Sequence, residues 1–123
     1  MARAWVFPGQ GSQAVGMGQA LAASSAAAKA VFDEVDAALA EDGAAPLSEI
    51  MWSGPIETLT LTENAQPALM AASLAAVRAL EEQGVDLADH GAYAAGHSLG
   101  LYPALAAVGA LCIAYAARLL RLR

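Results

Sequence analysis

The residues best suited to chemistry form the pentapeptide Gly96-His97-Ser98-Leu99-Gly100. This G-x-S-x-G pattern is typical of a nucleophile elbow, where a strand reverses sharply into a helix and exposes the serine hydroxyl. The backbone N–H of Leu99 then points to where the oxygen of a tetrahedral intermediate forms. The pattern therefore predicts Ser98 as a nucleophile and Leu99 as an oxyanion-hole donor. The alternative is a tight Gly-Ser turn that only packs a strand on a helix.

A general base for this serine is hard to find in the chain. Serine needs a base to react at neutral pH, and the sequence holds two histidines, His90 and His97. His97 adjoins Ser98 at the end of a predicted strand, so its side chain should point to the opposite face. His90 precedes the serine by roughly 25 Å of extended chain. We therefore expect the chain alone to be inactive as a catalyst.

The elements around the motif indicate an α/β fold. Ala4 to Phe7 is a short apolar strand that runs through Pro8-Gly9 into a glycine-rich loop (residues 9–18), and Tyr93 to His97 is a second strand. Strands separated by helices favour a parallel arrangement, and two strands alone make a poor sheet, so we expect part of a larger one. Helical spacing predicts helices over residues 24–40, 46–52, 64–83, 99–108 and 113–123. Gly43 should cap the first, Pro67 should lie in the first turn of the third, and Gly84 should follow its end.

Composition excludes several classes of protein. The chain has 123 residues, enough for one domain, and a net charge of −6, with all twelve acidic side chains in residues 1–90. An acidic body argues against a general nucleic-acid binder, which needs a basic face. A single cysteine, Cys112, excludes an internal disulfide and a Cys-rich zinc site. No metal or cofactor is expected, and the lack of a signal-peptide pattern predicts a cytoplasmic location.

A membrane segment is the less favoured interpretation of the C-terminal region. No residue between Asp89 and Arg118 carries a full charge, and this uncharged stretch is long enough to span a bilayer. Gly100, Pro103 and Gly109 interrupt this run, and RLLRLR would have to cross the membrane against the positive-inside tendency. Burial in an α/β core explains this uncharged stretch better.

Three motifs together resemble a known family. FPGQGSQ (residues 7–13), LTENAQPALMAASLA (61–75) and AGHSLG (95–100) are similar, in order and spacing, to motifs of the malonyl-CoA:acyl carrier protein transacylases. The same patterns occur in the acyltransferase domains of polyketide and fatty acid synthases. The resemblance covers nearly the whole chain, but only the N-terminal part of such an enzyme.

The resemblance implies a reaction and a role for each matching residue. Ser98 would take a malonyl group from coenzyme A as an ester and pass it to the phosphopantetheine thiol of acyl carrier protein. Gln10 would give the second oxyanion-hole donor, and Gln66 matches a pocket glutamine. Arg123 matches the arginine that pairs with the free carboxylate of malonate, which suits a bidentate guanidinium. His97 would support the site without being the base.

The resemblance also implies what this chain lacks. The family's catalytic histidine and its small substrate-cleft subdomain lie beyond the matched region, so residues 1–123 are expected to form a single truncated α/β domain. After the serine motif the family usually continues with Glu-Tyr and a small residue, whereas this chain has Leu101-Tyr102-Pro103. Pro103 cannot donate an N–H, so the following helix should start late or bend.

A non-enzymatic protein is the alternative from another class. The replacement of polar by apolar residues after the serine motif suggests an engineered or truncated fragment. Apolar surface left by a missing half should be buried against a second copy. We therefore expect a homo-oligomer, either a dimer or a domain swap.

Overall fold

The computed structural model describes residues 4–7, 11, 13–40, 46–84, 93–96 and 113–122. These residues form two strands and six helices. In chain order they are β1 (Ala4–Phe7), α1 (Gln19–Ser24), α2 (Ala26–Ala38), α3 (Leu47–Ser53), α4 (Ile56–Thr60), α5 (Thr62–Glu82), β2 (Tyr93–Gly96) and α6 (Ile113–Leu122).

The two strands pair in parallel. Their register places Ala4 opposite Tyr93 and Phe7 opposite Gly96, so the carboxyl ends of both strands lie at one edge. β1 has the predicted bounds, and β2 ends one residue before the predicted end at His97, which lies outside the described residues. The wider sheet flanked by helices stays a prediction.

The first predicted helix, residues 24–40, corresponds to α2, and the short helix α1 before it was not predicted. Ser25 separates the two helices: its backbone is extended (φ −133°, ψ 119°), and its hydroxyl accepts the Ala28 N–H at 3.2 Å. Serine is a preferred N-cap because its oxygen satisfies an N–H that the first turn leaves free. The expected C-cap, Gly43, lies outside the described residues, and α2 ends at Ala38.

Helix α5 lies at the centre of the described helices. It begins at Thr62, two residues before the predicted start, so Pro67 lies in the second turn and not in the first. Proline has no N–H to give the Glu63 carbonyl, an interruption usually avoided inside a helix. Here Pro67 and its neighbours from Asn64 to Ala71 are all buried, so tertiary packing outweighs the local cost. As predicted, Gly84 follows the end of this helix, at φ +93°.

Three helices build most of the core. Helices α2, α5 and α6 contact one another. Fully enclosed side chains include Phe32 and Val35 of α2, Leu74 of α5 and Leu120 of α6. Ala116 and Ala117 allow α6 to approach closely, since both are completely buried. The short helix α4, which follows Pro55, was not predicted because five residues are too few to show helical periodicity.

The membrane alternative can be tested only over part of its range. Within the residues that the structure describes, none of the helices is long and apolar enough to cross a bilayer. Most of the uncharged run, including the whole predicted helix 99–108, lies outside those residues.

A carboxylate from α5 joins the start of α2, and this contact should make stability depend on pH. Glu82 Oε2 accepts from the Ser25 hydroxyl at 2.6 Å and from the Ala27 N–H at 3.2 Å. The Ser25 hydrogen bond, followed by the Ala27 hydrogen bond, lowers the pKa of Glu82 below its ordinary value. A lowered pKa in the folded state stabilises the protein above the ordinary pKa, and this contribution is lost as the pH falls through the folded-state pKa.

Glu82→Gln should therefore lower the urea midpoint of unfolding at neutral pH, because a neutral amide accepts these bonds more weakly. The difference from the wild type should shrink under acidic conditions, where the wild-type carboxylate is protonated. Urea titrations across the acidic range measure this, with Glu34→Gln on the exposed side of α2 as the control. A difference independent of pH would contradict the assignment.

Candidate active site

The edge where both strands end is the centre of the candidate site. Phe7 and Gly96 are register partners, and neighbouring strands lie about 4.8 Å apart. Phe7 begins the FPGQGSQ motif, and Gly96 begins the G-x-S-x-G motif. Parallel pairing thus brings the starts of two distant motifs side by side at the carboxyl end of the strands, where ligands of open α/β sheets bind.

Most of the predicted site residues lie outside the described part of the chain. These are Gln10, His97, Ser98, Leu99 and Arg123. Their predicted roles therefore stay predictions. Gln66 is the predicted site residue whose side chain the structure describes.

Gln66 has the properties of a ligand-facing polar residue. It lies in the buried first half of α5 with only 6% of its surface exposed, and its Oε1 has no hydrogen-bond partner among the described residues. A buried polar atom without a partner costs about 1–3 kcal/mol, so such atoms call for an explanation. Within the described part of the chain, the amide oxygen can therefore still accept a hydrogen bond.

Asn64, two residues earlier, behaves differently. It is also buried, at 8% exposure, but its Nδ2 donates to the Thr58 carbonyl at 3.0 Å and so attaches α5 to α4. The two buried amides therefore differ. Asn64 makes a structural hydrogen bond, whereas Oε1 of Gln66 has no partner among the described residues. Sequence reasoning marked Gln66 only through the family resemblance, and its spacing alone gave no signal.

The second half of the glycine-rich loop is attached to α3 and α2. The Gly16 N–H donates to the Met51 carbonyl at 2.7 Å, and Trp52 Nε1 donates to the Met17 carbonyl at 3.0 Å. Gly18 has φ +76°, and a β-carbon there would lie 2.6 Å from Cζ of Phe32. Sequence reasoning missed these contacts because nothing in a single chain links residue 17 to residue 52.

The three C-terminal arginines are only partly described. Arg118 is exposed on α6, as expected for a solvated helix end, whereas Ala116, Ala117 and Leu120 are completely buried. The side chain of Arg121 and the whole of Arg123 lie outside the described part. Among the residues that are described, no group of three His, Cys, Asp or Glu side chains could hold a metal ion.

Comparison with known proteins gives a consistent assignment. Residues 4–123 match the family model of the acyl transferase domain. The malonyl CoA-acyl carrier protein transacylase of Bacillus subtilis (strain 168) is 47% identical over 108 residues, which are 88% of this chain and 32% of that protein.

Solved structures agree with this match. The crystal structure of the acyl-carrier-protein S-malonyltransferase of Bartonella henselae matches with a TM-score of 0.93 and 50% identity, over 99% of this chain and 38% of the other. A malonyl-transacylase in complex with a type II polyketide synthase acyl-carrier protein matches with a TM-score of 0.87 and 39% identity, over 99% of this chain and 37% of the other. This chain thus spans about a third of the length of these relatives. The chain belongs to the acyl transferase domain family, and its relatives at this level of identity are malonyl-CoA:acyl carrier protein transacylases.

Proposed function

We propose that this chain carries the serine-bearing part of a malonyl transfer reaction. The Ser98 oxygen attacks the thioester carbonyl of malonyl-CoA, a serine ester forms, and the C–S bond breaks to release coenzyme A as a thiol. The phosphopantetheine thiol of acyl carrier protein then attacks this ester and regenerates the serine hydroxyl. The observation that carries the proposal is the Phe7–Gly96 register, which brings both motifs to one edge.

The proposed site includes a two-donor oxyanion hole, which the same register supports. In this proposal the N–H of Leu99 and the N–H of Gln10 both bind the oxygen of the tetrahedral intermediate. Each belongs to a motif that starts at the shared edge. Donors held in place before the reaction are effective, and losing one typically costs about 100- to 1,000-fold in rate.

Arg123 is the proposed partner of the malonyl carboxylate. The predicted helix 113–123 would place position 123 on the same stripe as the buried Ala116 and Leu120, whereas Arg118 lies on the opposite side. That buried stripe belongs to a helix that contacts α5, which carries Gln66. The spacing thus favours Arg123 over Arg118 as the arginine of a buried pocket.

Acyl carrier protein is the proposed acceptor. The support is the solved complex of a malonyl-transacylase with a polyketide synthase acyl-carrier protein, whose enzyme resembles this chain. We do not expect catalytic turnover from these 123 residues alone, because His90 and His97 are the only histidines in the sequence and neither is predicted to serve as a base.

Intact-protein mass spectrometry after incubation with malonyl-CoA tests the proposal. We expect one malonyl group to be added slowly to the wild type and none to Ser98→Ala, with no detectable transfer to acyl carrier protein. Circular dichroism of both proteins checks that they are folded.

Two results would count against the proposal: equal labelling of both proteins, or no labelling of a folded wild type. Unlabelled protein that sediments as a dimer would favour the alternative, a self-associating fragment without enzymatic activity. Sedimentation velocity on the same samples also tests the expected homo-oligomer.

A further inference from the structure

We propose that Trp52 is a positioning residue, whose indole N–H fixes the glycine-rich loop that carries Gln10. The inference rests on the proposed function, in which the Gln10 N–H binds the oxyanion. It is drawn from the described residues of the loop, Gly11 and residues 13–18, and from their contacts with α3 and α2.

Helix α3 holds the loop through two hydrogen bonds of opposite direction. Met51 accepts at its carbonyl from the Gly16 N–H, and Trp52 donates from its indole to the Met17 carbonyl. Consecutive residues of the helix thus bind consecutive residues of the loop. One bond would allow the loop to pivot, whereas two bonds at adjacent positions fix both its distance and its orientation.

The indole of Trp52 is itself held in place. Its ring meets the ring of Phe32 edge to face, with centroids 5.4 Å apart and an interplanar angle of 73°. Phe32 is only 1% exposed and belongs to the core of α2. Aromatic pairs of this geometry are favourable and directional. The direction of the indole N–H is therefore set by the core and not by the loop.

The residues held by α3, Gly16 and Met17, follow Gln10 by six and seven residues in the same loop. Gly11, which follows Gln10 directly, donates its N–H to Oε1 of Gln13 at 2.8 Å. On the other side of the loop, β1 is paired in the sheet up to Phe7. In this proposal, a displacement at Met17 is passed along the loop to the Gln10 N–H. Because oxyanion donors must be held within about half an ångström of their productive position, such a displacement should slow the reaction.

A matched pair of variants separates positioning from stability. Trp52→Phe keeps an aromatic ring against Phe32 and removes the N–H. Ser48→Ala also weakens the attachment of α3, because the Ser48 hydroxyl donates to Asp36 Oδ2 at 2.5 Å, but it leaves both loop contacts intact. Both variants should lose stability, so urea unfolding alone does not distinguish them.

The rate of Ser98 malonylation is the first readout. Trp52→Phe should lower the maximal rate about tenfold, with less than about a twofold change in the half-saturating concentration of malonyl-CoA. For Ser48→Ala, the maximal rate and the half-saturating concentration of malonyl-CoA should both stay within about twofold of the wild-type values. An equal loss of rate in the two variants would overturn the proposal. If Trp52→Phe does not fold, 3-benzothienylalanine at position 52, which replaces the N–H by sulfur, takes its place.

Amide resonances give a second readout that does not depend on activity. In the ¹H–¹⁵N spectrum, the Gln10 and Gly11 amides should shift and exchange faster in Trp52→Phe but not in Ser48→Ala. Unchanged Gln10 and Gly11 amides in Trp52→Phe would overturn the proposal whether or not the wild type is labelled. Shifted amides in a protein that malonyl-CoA does not label would support the role of Trp52 and count against the proposed function alone.

Discussion

Gly18→Ala should lower the free energy of unfolding by about 2–5 kcal/mol. Two effects add at this position. Gly18 has φ +76°, a left-handed conformation that costs a residue with a β-carbon about 1–2 kcal/mol. The new methyl group would also lie 2.6 Å from Cζ of Phe32, closer than any van der Waals contact allows.

The ring of Phe32 cannot move aside cheaply. Its side chain is 1% exposed and contacts the indole of Trp52, so accommodating a methyl group requires repacking between α2 and α3. Overpacking of this kind costs about 1–3 kcal/mol. The strain should therefore reach the indole that holds the loop, and the amides of Gly16 and Met17 should exchange faster than in the wild type.

Gly16→Ala is the matched control for this variant. Gly16 also has a left-handed backbone, at φ +92°, but a β-carbon there meets no atom within 4 Å. Gly16→Ala should therefore lower the free energy of unfolding only by the conformational cost, about 1–2 kcal/mol. Urea denaturation of the three proteins measures the difference, and equal losses for both variants would show that the contact with Phe32 adds nothing.

The parts of the fold that sequence predicted best are those with a strong local signal. β1 is a short apolar run closed by Pro8-Gly9, and the structure gives it the predicted bounds. The end of α5 is followed by Gly84, whose left-handed backbone favours glycine. Both features depend on residues next to one another in the chain, which is why a single sequence reveals them.

Errors arose where a distant contact outweighs the local pattern. The helix predicted from Ser24 begins at Ala26, because Ser25 is extended and caps α2. The Ser25 hydroxyl and the Ala27 N–H both bind the carboxylate of Glu82, more than fifty residues away. Pro67 was expected in a first turn, where proline is tolerated. It lies one turn further in because the buried first half of α5 is held by packing on all sides. Neither contact can be read from spacing.

In the candidate site too, the local motifs could be predicted from the sequence and the long-range contacts could not. The G-x-S-x-G and FPGQGSQ motifs are local patterns that the sequence alone reveals, and the parallel pairing of β1 and β2 places their first residues side by side. The free acceptor of Gln66 and the attachment of the loop by Trp52 needed the structure, since both follow from the packing of α3 and α5. The structure thus adds residues that support the candidate site, whereas the sequence motifs indicate its catalytic residues.

The role of Arg123 leads to a test of acyl specificity. A guanidinium binds a carboxylate through two parallel charge-assisted hydrogen bonds, and losing one partner of a desolvated charge pair typically costs about 2–5 kcal/mol. Malonyl groups carry such a carboxylate, and acetyl groups do not. An arginine that recognises the carboxylate should therefore affect one substrate and not the other.

Arg123→Leu should lower the rate of Ser98 malonylation about a hundredfold, since about 2.7 kcal/mol is lost with the ion pair. Slow labelling by acetyl-CoA should stay within about threefold of the wild type, because no carboxylate is left unpaired. Arg118→Leu is the control, as this arginine is exposed on α6 and should change either rate less than twofold. Labelling with both thioesters, followed by intact mass over time, measures the two rates in each variant. An equal loss for malonyl and acetyl groups in Arg123→Leu would place its effect in folding and leave the selectivity of the pocket to another residue.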